Sequence, residues 1–386
     1  METIKIFMRM NKILLNNVLK AAWIFCAWLC ATCALAQERV YVKGDLTFEP
    51  GSNDVKYFTI AMENATTDYV AFQMSIVLPE GLELAYNNSG NPRIFIAKPG
   101  VYPYSVDYVE EDNEVKTYSH DVSYSITSKS INVVVASLKN EKFIKRTGDL
   151  LKVYVKASPY LKPGDIQVGL NNVVFSDIDL NGPEYDSFEP STIGTASSTS
   201  TLTLKVSASN KFSTCILPFD AQLPTGIEAY SCETTDGNNL VLTQQSSMQA
   251  FTPYIVYAPS GFDGTLSGTV DAEQYQATVT NGYLSGTVVK TEITGDAGNY
   301  VLQNQGEGPM FYRIGATSFA IPAGKCWLTL PASLQGVAAF QLHRPTGIET
   351  IPLSNLDANM LYDLSGRRIA QPAKGVYIVG GKKLVK

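Results

Sequence analysis

The chain has 386 residues, 45% of them hydrophobic and 17% charged, with a formal net charge of −6. That length is too great for one hydrophobic core and suits two or three domains. Without residues 1–36, which hold four basic residues and one acidic, the net charge is −9; residues 355–386 hold six basic and two acidic, so the body 37–354 stands near −13. Such a balance argues against nucleic acid or an anionic membrane as a partner.

Residues 1–20 carry Lys5, Arg9, Lys12 and Lys20 against the single Glu2, and an apolar run follows at 21–36. The run has the length of a signal h-region and is too short to span a bilayer comfortably. Ala34-Leu35-Ala36 has the A-x-A form, so cleavage after Ala36 is expected, giving an exported chain that is secreted or displayed on the outer surface. No later stretch approaches about 20 apolar residues, so no membrane span is expected in the mature chain.

Beyond the signal the hydrophobic period is two. Val70, Phe72, Met74, Ile76 and Leu78 alternate with smaller or polar residues, as do Ile131, Val133 and Val135; Leu151, Val153 and Val155; and Leu202, Leu204 and Val206. Turn formers bound these runs at Pro79-Glu80-Gly81, Pro163-Gly164-Asp165, Asp236-Gly237 and Asn281-Gly282. Short alternating runs between such turns are the signature of half-buried antiparallel strands. The fold class expected is all-β: two antiparallel β-sandwich domains joined by a Ser/Thr-rich linker, plus a short C-terminal β segment.

The first sandwich is expected over 38–190. It contains DVKYFTIAMENATTDYVAFQMSIVLPEGLEL at 54–84, a Gly148-Asp149-Leu150-Leu151 strand entry, and a closing F-S-D-x-D-x-N-G turn at 175–182. This order of elements resembles the cohesin-like and carbohydrate-binding β-sandwich group, which implies a binding module. No dockerin-like duplicated calcium loop occurs in the chain. Tyr102, Tyr104, Tyr108, Tyr118 and Tyr124 crowd one stretch, interrupted by the acidic residues Glu110, Glu111, Asp112 and Glu114. Exposed rings stack on sugar faces while carboxylates accept hydroxyl protons, so a glycan site is one reading; rings half-buried on a sheet, or a protein contact, are the others. Asp177, Asp179 and Asn181 open a D-x-D-x-N-G string like that of a calcium loop, but position twelve is Phe188 and not Glu. Calcium binding there competes with a plain tight turn in which Asp and Asn cap their own backbone.

Residues 191–201, within PSTIGTASSTST, lose bulky apolar residues and read as the linker. The second sandwich is expected over 202–342. Its phrases STCILPFDAQLPTGIEAYSC (213–232), MQAFTPYIVYAP (248–259), GNYVLQNQGEGPMFYRIG (298–315) and IPAGKCWLTLPA (321–332) resemble a module found before the sorting segment of Bacteroidetes surface proteins. Trp327, the only tryptophan after the signal, is expected in its core. Three cysteines remain after the signal, Cys215, Cys232 and Cys326; either two pair in an oxidising compartment or all three are buried as thiols.

The end of the chain, 355–386, holds Asp363-Leu364-Ser365-Gly366-Arg367, the strand-like KGVYIV at 374–379 and a KKLVK terminus. This resembles the C-terminal sorting segment of proteins exported by the type IX secretion system of Bacteroidetes, which implies a partner in the secretion machinery. Catalytic motifs are missing from the sequence: only His120 and His343 are present, with no G-x-S-x-G, no H-E-x-x-H and no zinc-spaced pair. Two carboxylates would suffice for a glycosidase, yet nothing frames a cleft. The expectation is a non-enzymatic secreted or cell-surface binding or adhesion protein whose partner is a glycan or a surface protein. The alternatives are a structural or assembly component of the cell envelope, or a glycoside hydrolase or accessory to one.

Overall fold

The computed structural model describes residues 38–110, 113–127, 130–295, 298–315, 317–344, 361–362, 368–369, 376–379 and 382–385. The chain is all-β, and no α-helix occurs among the described residues. It divides into two compact units: residues up to 202 together with 266–275, and residues 203–265 together with 276 onward.

The first unit contains thirteen strands before residue 197. They are β1 (Arg39–Lys43), β2 (Leu46–Phe48), β3 (Lys56–Glu63), β4 (Ala71–Val77), β5 (Leu82–Leu84), β6 (Ile94–Ile96), β7 (Tyr104–Glu110), β8 (Asn113–Tyr118), β9 (His120–Ile126), β10 (Ile131–Ser137), β11 (Gly148–Ala157), β12 (Gly164–Ser176) and β13 (Glu184–Ala196). One sheet runs β1-β3-β11-β5, with β6 also paired to β11; the other runs β2-β13-β12-β4-β10-β9. Strands β7 and β8 form a separate hairpin.

The alternation read from the sequence selects the buried face. Phe72, Met74 and Ile76 of β4 lie opposite Val135, Val133 and Ile131 of β10, all buried. Phe58, Ile60 and Met62 of β3 and Leu151, Val153 and Val155 of β11 belong to the same core. Each such side chain contributes roughly 1.5–3 kcal/mol on burial, and a slip of one residue would turn every one of them to water. Register is therefore fixed by the core.

Two features depart from the expected plan. The pairing of β2 with β13 is parallel, so the sandwich is not wholly antiparallel. Gly194 permits that approach: its φ is +150°, and a Cβ there would lie 1.8 Å from the Leu46 carbonyl oxygen. The stretch 191–201 is also no linker. Its first six residues complete β13, 199–201 begin the strand Thr199–Val206, and Ile193 and Ser200 are fully buried. The Ser200 hydroxyl donates to the Pro159 carbonyl at 2.6 Å. The later residues 266–275 join this unit too: the Val270 amide donates to the Ser198 carbonyl, and the Tyr275 hydroxyl to the Tyr160 carbonyl.

In the second unit ten strands form one sheet. Its order is Phe212–Ile216, Pro253–Tyr257, Glu228–Asp236, Asn239–Gln245, Ala339–His343, Pro309–Arg313, Asn299–Asn304, Lys325–Thr329, Leu284–Thr287 and Thr278–Asn281. The sheet curls on itself. Thr214 in the first of these strands accepts the Cys326 amide at 3.0 Å and donates to the Cys326 carbonyl at 3.2 Å. Tyr230, Leu242, Ile255, Tyr300, Phe311, Leu328 and Phe340 fill the space enclosed. Gly237 and Gly282, at φ +58° and +60°, turn the two hairpins that Asp236-Gly237 and Asn281-Gly282 announce. Trp327 is buried with Ile293, Val301, Ile314 and Ile321. At the C-terminus, Leu361–Tyr362 pairs with both Arg368–Ile369 and Val376–Val379, and the latter pairs with Lys382–Val385. The D-L-S-G-R string at 363–367 lies outside the described residues, as does the signal 1–36.

Candidate functional site

The five tyrosines do not form one platform. Tyr102 is 1% exposed. Its hydroxyl donates to the Leu150 carbonyl at 2.7 Å, and its ring packs edge-on against Phe143 at 5.4 Å. Burial pushes its phenol pKa well above the usual value. Tyr102 is a core residue, and the glycan reading is corrected there.

Tyr104 on β7 and Tyr118 on β8 are cross-strand partners with ring centroids 5.5 Å apart. Their faces carry cations from the chain itself: Lys116 Nζ lies 4.6 Å from the Tyr104 centroid and Lys98 Nζ 4.7 Å from that of Tyr118. Tyr118 also packs against the core. Tyr108 belongs to β7 opposite Val115, and its side chain lies outside the described residues. Tyr124 stands apart on β9, 40% exposed.

At Asp177 the tight-turn reading describes what is seen. Asp177 Oδ1 accepts the amides of Asp179 and Asn181, both at 2.9 Å. The Asp177 amide donates to the Asn181 carbonyl, closing the turn on itself. Among the described residues no three His, Cys, Asp or Glu side chains converge as a metal site.

His120 is buried between Tyr102 and Phe143, each 5.1 Å away by ring centroid. Its Nε2 lies 3.0 Å from the Val70 carbonyl, which only accepts, so Nε2 carries the proton and Nδ1 receives the Ser119 hydroxyl at 2.8 Å. Burial lowers its pKa below the ordinary 6.5, against the opposing pull of the Val70 carbonyl. The ring is a neutral core histidine. The three cysteines are free and buried, and burial raises the Cys215 and Cys232 thiols to about 12 and that of Cys326 well above its ordinary value. Thiols held protonated in this way are not nucleophiles at neutral pH.

Two surface features remain, and neither was apparent in the sequence. The first is the edge at β9, which pairs only with β10, over seven consecutive residues without a bulge. From Asp121 onward β9 is open to solvent except at the half-buried Val122, with Tyr124 and Ile126 (42% exposed) on the core side of the sheet. Among the other outermost strands of the two large sheets, β2, β5 and β6 have three residues each, and the five-residue β1 is guarded by Arg39 and Lys43. The second feature is a row of aromatic rings on the outer face of the opposite sheet, from Tyr57, Tyr154 and Phe95. These residues are scattered in sequence and meet only through the pairing of β3, β11 and β6.

In sequence, no protein-family profile matches the chain, and no curated protein does so either. In structure, 41% of the chain is similar to 96% of a cohesin module from a Clostridium perfringens family 33 glycoside hydrolase, with 15% identity and a TM-score of 0.29. A non-cellulosomal cohesin from the archaeon Archaeoglobus fulgidus is similar over 37% of the chain and 82% of its own length, with 16% identity and a TM-score of 0.25. A type I cohesin–dockerin complex from Clostridium thermocellum contributes a chain similar over 42% of this one and 99% of its own, with 14% identity and a TM-score of 0.30. Likenesses at this level assign neither ligand nor partner. No helix among the described residues is long and apolar enough to cross a membrane.

Proposed function

We propose that this is an exported, non-catalytic binding protein whose first unit recruits a protein partner by strand addition at β9. The observation that carries the reading is the unguarded edge. Folded proteins blunt exposed edges with lysine, proline, bulges or brevity, because unpaired amides and carbonyls template another strand. The β9 sequence HDVSYSI has none of these guards, a single acidic residue, and two large apolar side chains open to water. A partner strand laid along it would gain main-chain hydrogen bonds for affinity, with Tyr124 and Ile126 supplying side-chain selectivity.

The chain termini support an extracellular setting: the A-x-A site at 34–36 for export and the basic segment 355–386 for sorting to the surface by a type IX route. Adhesion and envelope assembly are both served by such an edge. The tyrosine hairpin supports glycan binding less well, because Tyr102 is buried and Tyr124 stands apart, which leaves Tyr104 and Tyr118 as the pair of adjacent described rings.

The test is an array of extended peptides probed with the full mature chain and with its Tyr124→Lys/Ile126→Lys variant. Both side chains are well exposed, so the variant should fold. Peptides that bind the parent at least tenfold better than the variant, and that slow hydrogen exchange within 120–126, are the expected result. Binding that ignores the two lysines, or protection appearing elsewhere and not in β9, refutes the edge as the site.

A further inference from the structure

We propose that the outer face of the β1-β3-β11 sheet binds an acidic polysaccharide of the uronate type, its sugar rings resting on Tyr57, Tyr154 and Phe95 and its carboxylates pairing with Arg93 and Lys152. The site lies on the sheet opposite β9 and does not rest on the strand-addition reading.

The sheet register builds it. Tyr154 of β11 is directly opposite Tyr57 of β3, and Lys152 of the same strand is opposite Phe95 of β6. Residues 152 and 154 share a face because side chains alternate along a strand. That face is the solvent side, since Val153 and Val155 point into the core. Ring centroids are 5.2 Å apart from Tyr57 to Tyr154 and 5.8 Å from Tyr154 to Phe95, so the row crosses three strands. Tyr57 is 44% exposed and Phe95 47%, so the row presents aromatic surface to solvent.

The cations supply the charge preference. The Arg93 guanidinium carbon lies 4.1 Å from the Tyr154 centroid, and Lys152 Nζ lies 5.0 Å from that of Tyr57. Neighbouring cations are already neutralised: Arg39 pairs with Glu63, Lys43 with Asp149 and Lys156 with Glu83. Arg93 and Lys152 have no carboxylate partner among the described residues, only ring faces. A guanidinium over a ring face can still direct N–H groups to a planar carboxylate.

The pattern of apolar ring faces interleaved with two uncompensated cations discriminates among polyanions. A nucleic acid presents a dense phosphate charge, which an acidic chain with two free cations does not match. A uronate polymer joins an apolar sugar face to one carboxylate per residue, a chemistry that ring faces with two cations beside them can take.

The experiment is calorimetric titration of the full mature chain with oligogalacturonate, with a neutral gluco-oligosaccharide of equal length as control. The expected result is binding of the acidic oligomer alone. Tyr57→Ala and Phe95→Ala should each weaken it roughly two- to tenfold, the range of one aromatic contact. Arg93→Gln/Lys152→Gln should weaken it further and remove the dependence on ionic strength that the parent shows. Circular dichroism checks that each variant is folded. Three results overturn the proposal: no binding of oligogalacturonate, equal binding of the neutral oligomer, or retention of parental affinity by folded Tyr57→Ala and Phe95→Ala.

Discussion

Replacing Tyr102 by alanine separates a core residue from a ligand residue. In the structure the ring is in contact with Phe143 and His120 and has almost no exposed surface. Its removal takes away the transfer free energy of a buried aromatic and leaves a cavity, a loss of about 3–5 kcal/mol. Against the 5–15 kcal/mol that holds a typical domain together, this is a large fraction. Tyr102→Phe isolates the hydroxyl. The Leu150 carbonyl keeps its second donor, the Ala97 amide at 2.9 Å, so the phenylalanine should cost only about 0.5–1.5 kcal/mol. Tyr104→Ala, on the exposed hairpin, should change stability by roughly 0.5 kcal/mol or less. Hydrogen exchange resolved to the peptides 131–137 and 148–157, followed through a urea titration, reads the first unit separately from the second. The reasoning fails if Tyr102→Ala leaves that protection as Tyr104→Ala does.

Three further outcomes are expected. His120 is held neutral with a pKa below 6.5, so protonation favours the unfolded chain; stability should be full above pH 6.5 and fall as pH drops from there towards the folded-state value, and thermal melts of His120→Asn should show a flatter slope across that window. Gly194→Ala should destabilise by about 2 kcal/mol or more, because its Cβ would collide with the Leu46 carbonyl; an unchanged melting temperature would show that β2 does not pair as described. Deleting 355–386 should strand the protein in the periplasm with its signal still removed after Ala36, as read by fractionation and N-terminal sequencing; release of the truncated chain into the medium would remove the case for a sorting segment.

The strands were legible where one face is buried, because alternation is a direct imprint of a two-sided environment. Val133 and Val135, or Leu151 and Val153, have no other reason to recur at every second position. The hairpin at Gly237 was equally plain, since its conformation needs a residue free of a Cβ. The stretch 191–201 misled because β13 is largely exposed: Ile193 and Ala196 are its only buried side chains. Its polar composition therefore reads as linker although threonine suits a strand. The tyrosines misled for a related reason. A tyrosine carries the same letter whether its hydroxyl meets water or the Leu150 carbonyl, and only the fold tells Tyr102 from Tyr104. The aromatic row was invisible because Tyr57, Phe95 and Tyr154 lie far apart along the chain and become neighbours only across strands.

The contribution of residues 266–275 to the first unit gives the molecule an order of assembly. Val270 and Tyr275 come more than sixty residues after β13 ends, and much of the second unit's sequence precedes them. A chain threaded outward from its N-terminus cannot make the Val270 and Tyr275 hydrogen bonds of its first unit until those residues have emerged. By then strands such as Glu228–Asp236, Asn239–Gln245 and Pro253–Tyr257 are already outside and free to pair with one another. The last hydrogen bonds of the first unit and the first pairings of the second therefore become available in the same interval. A fragment ended at residue 192 would both cut β13 short and lack the segment that arrives last.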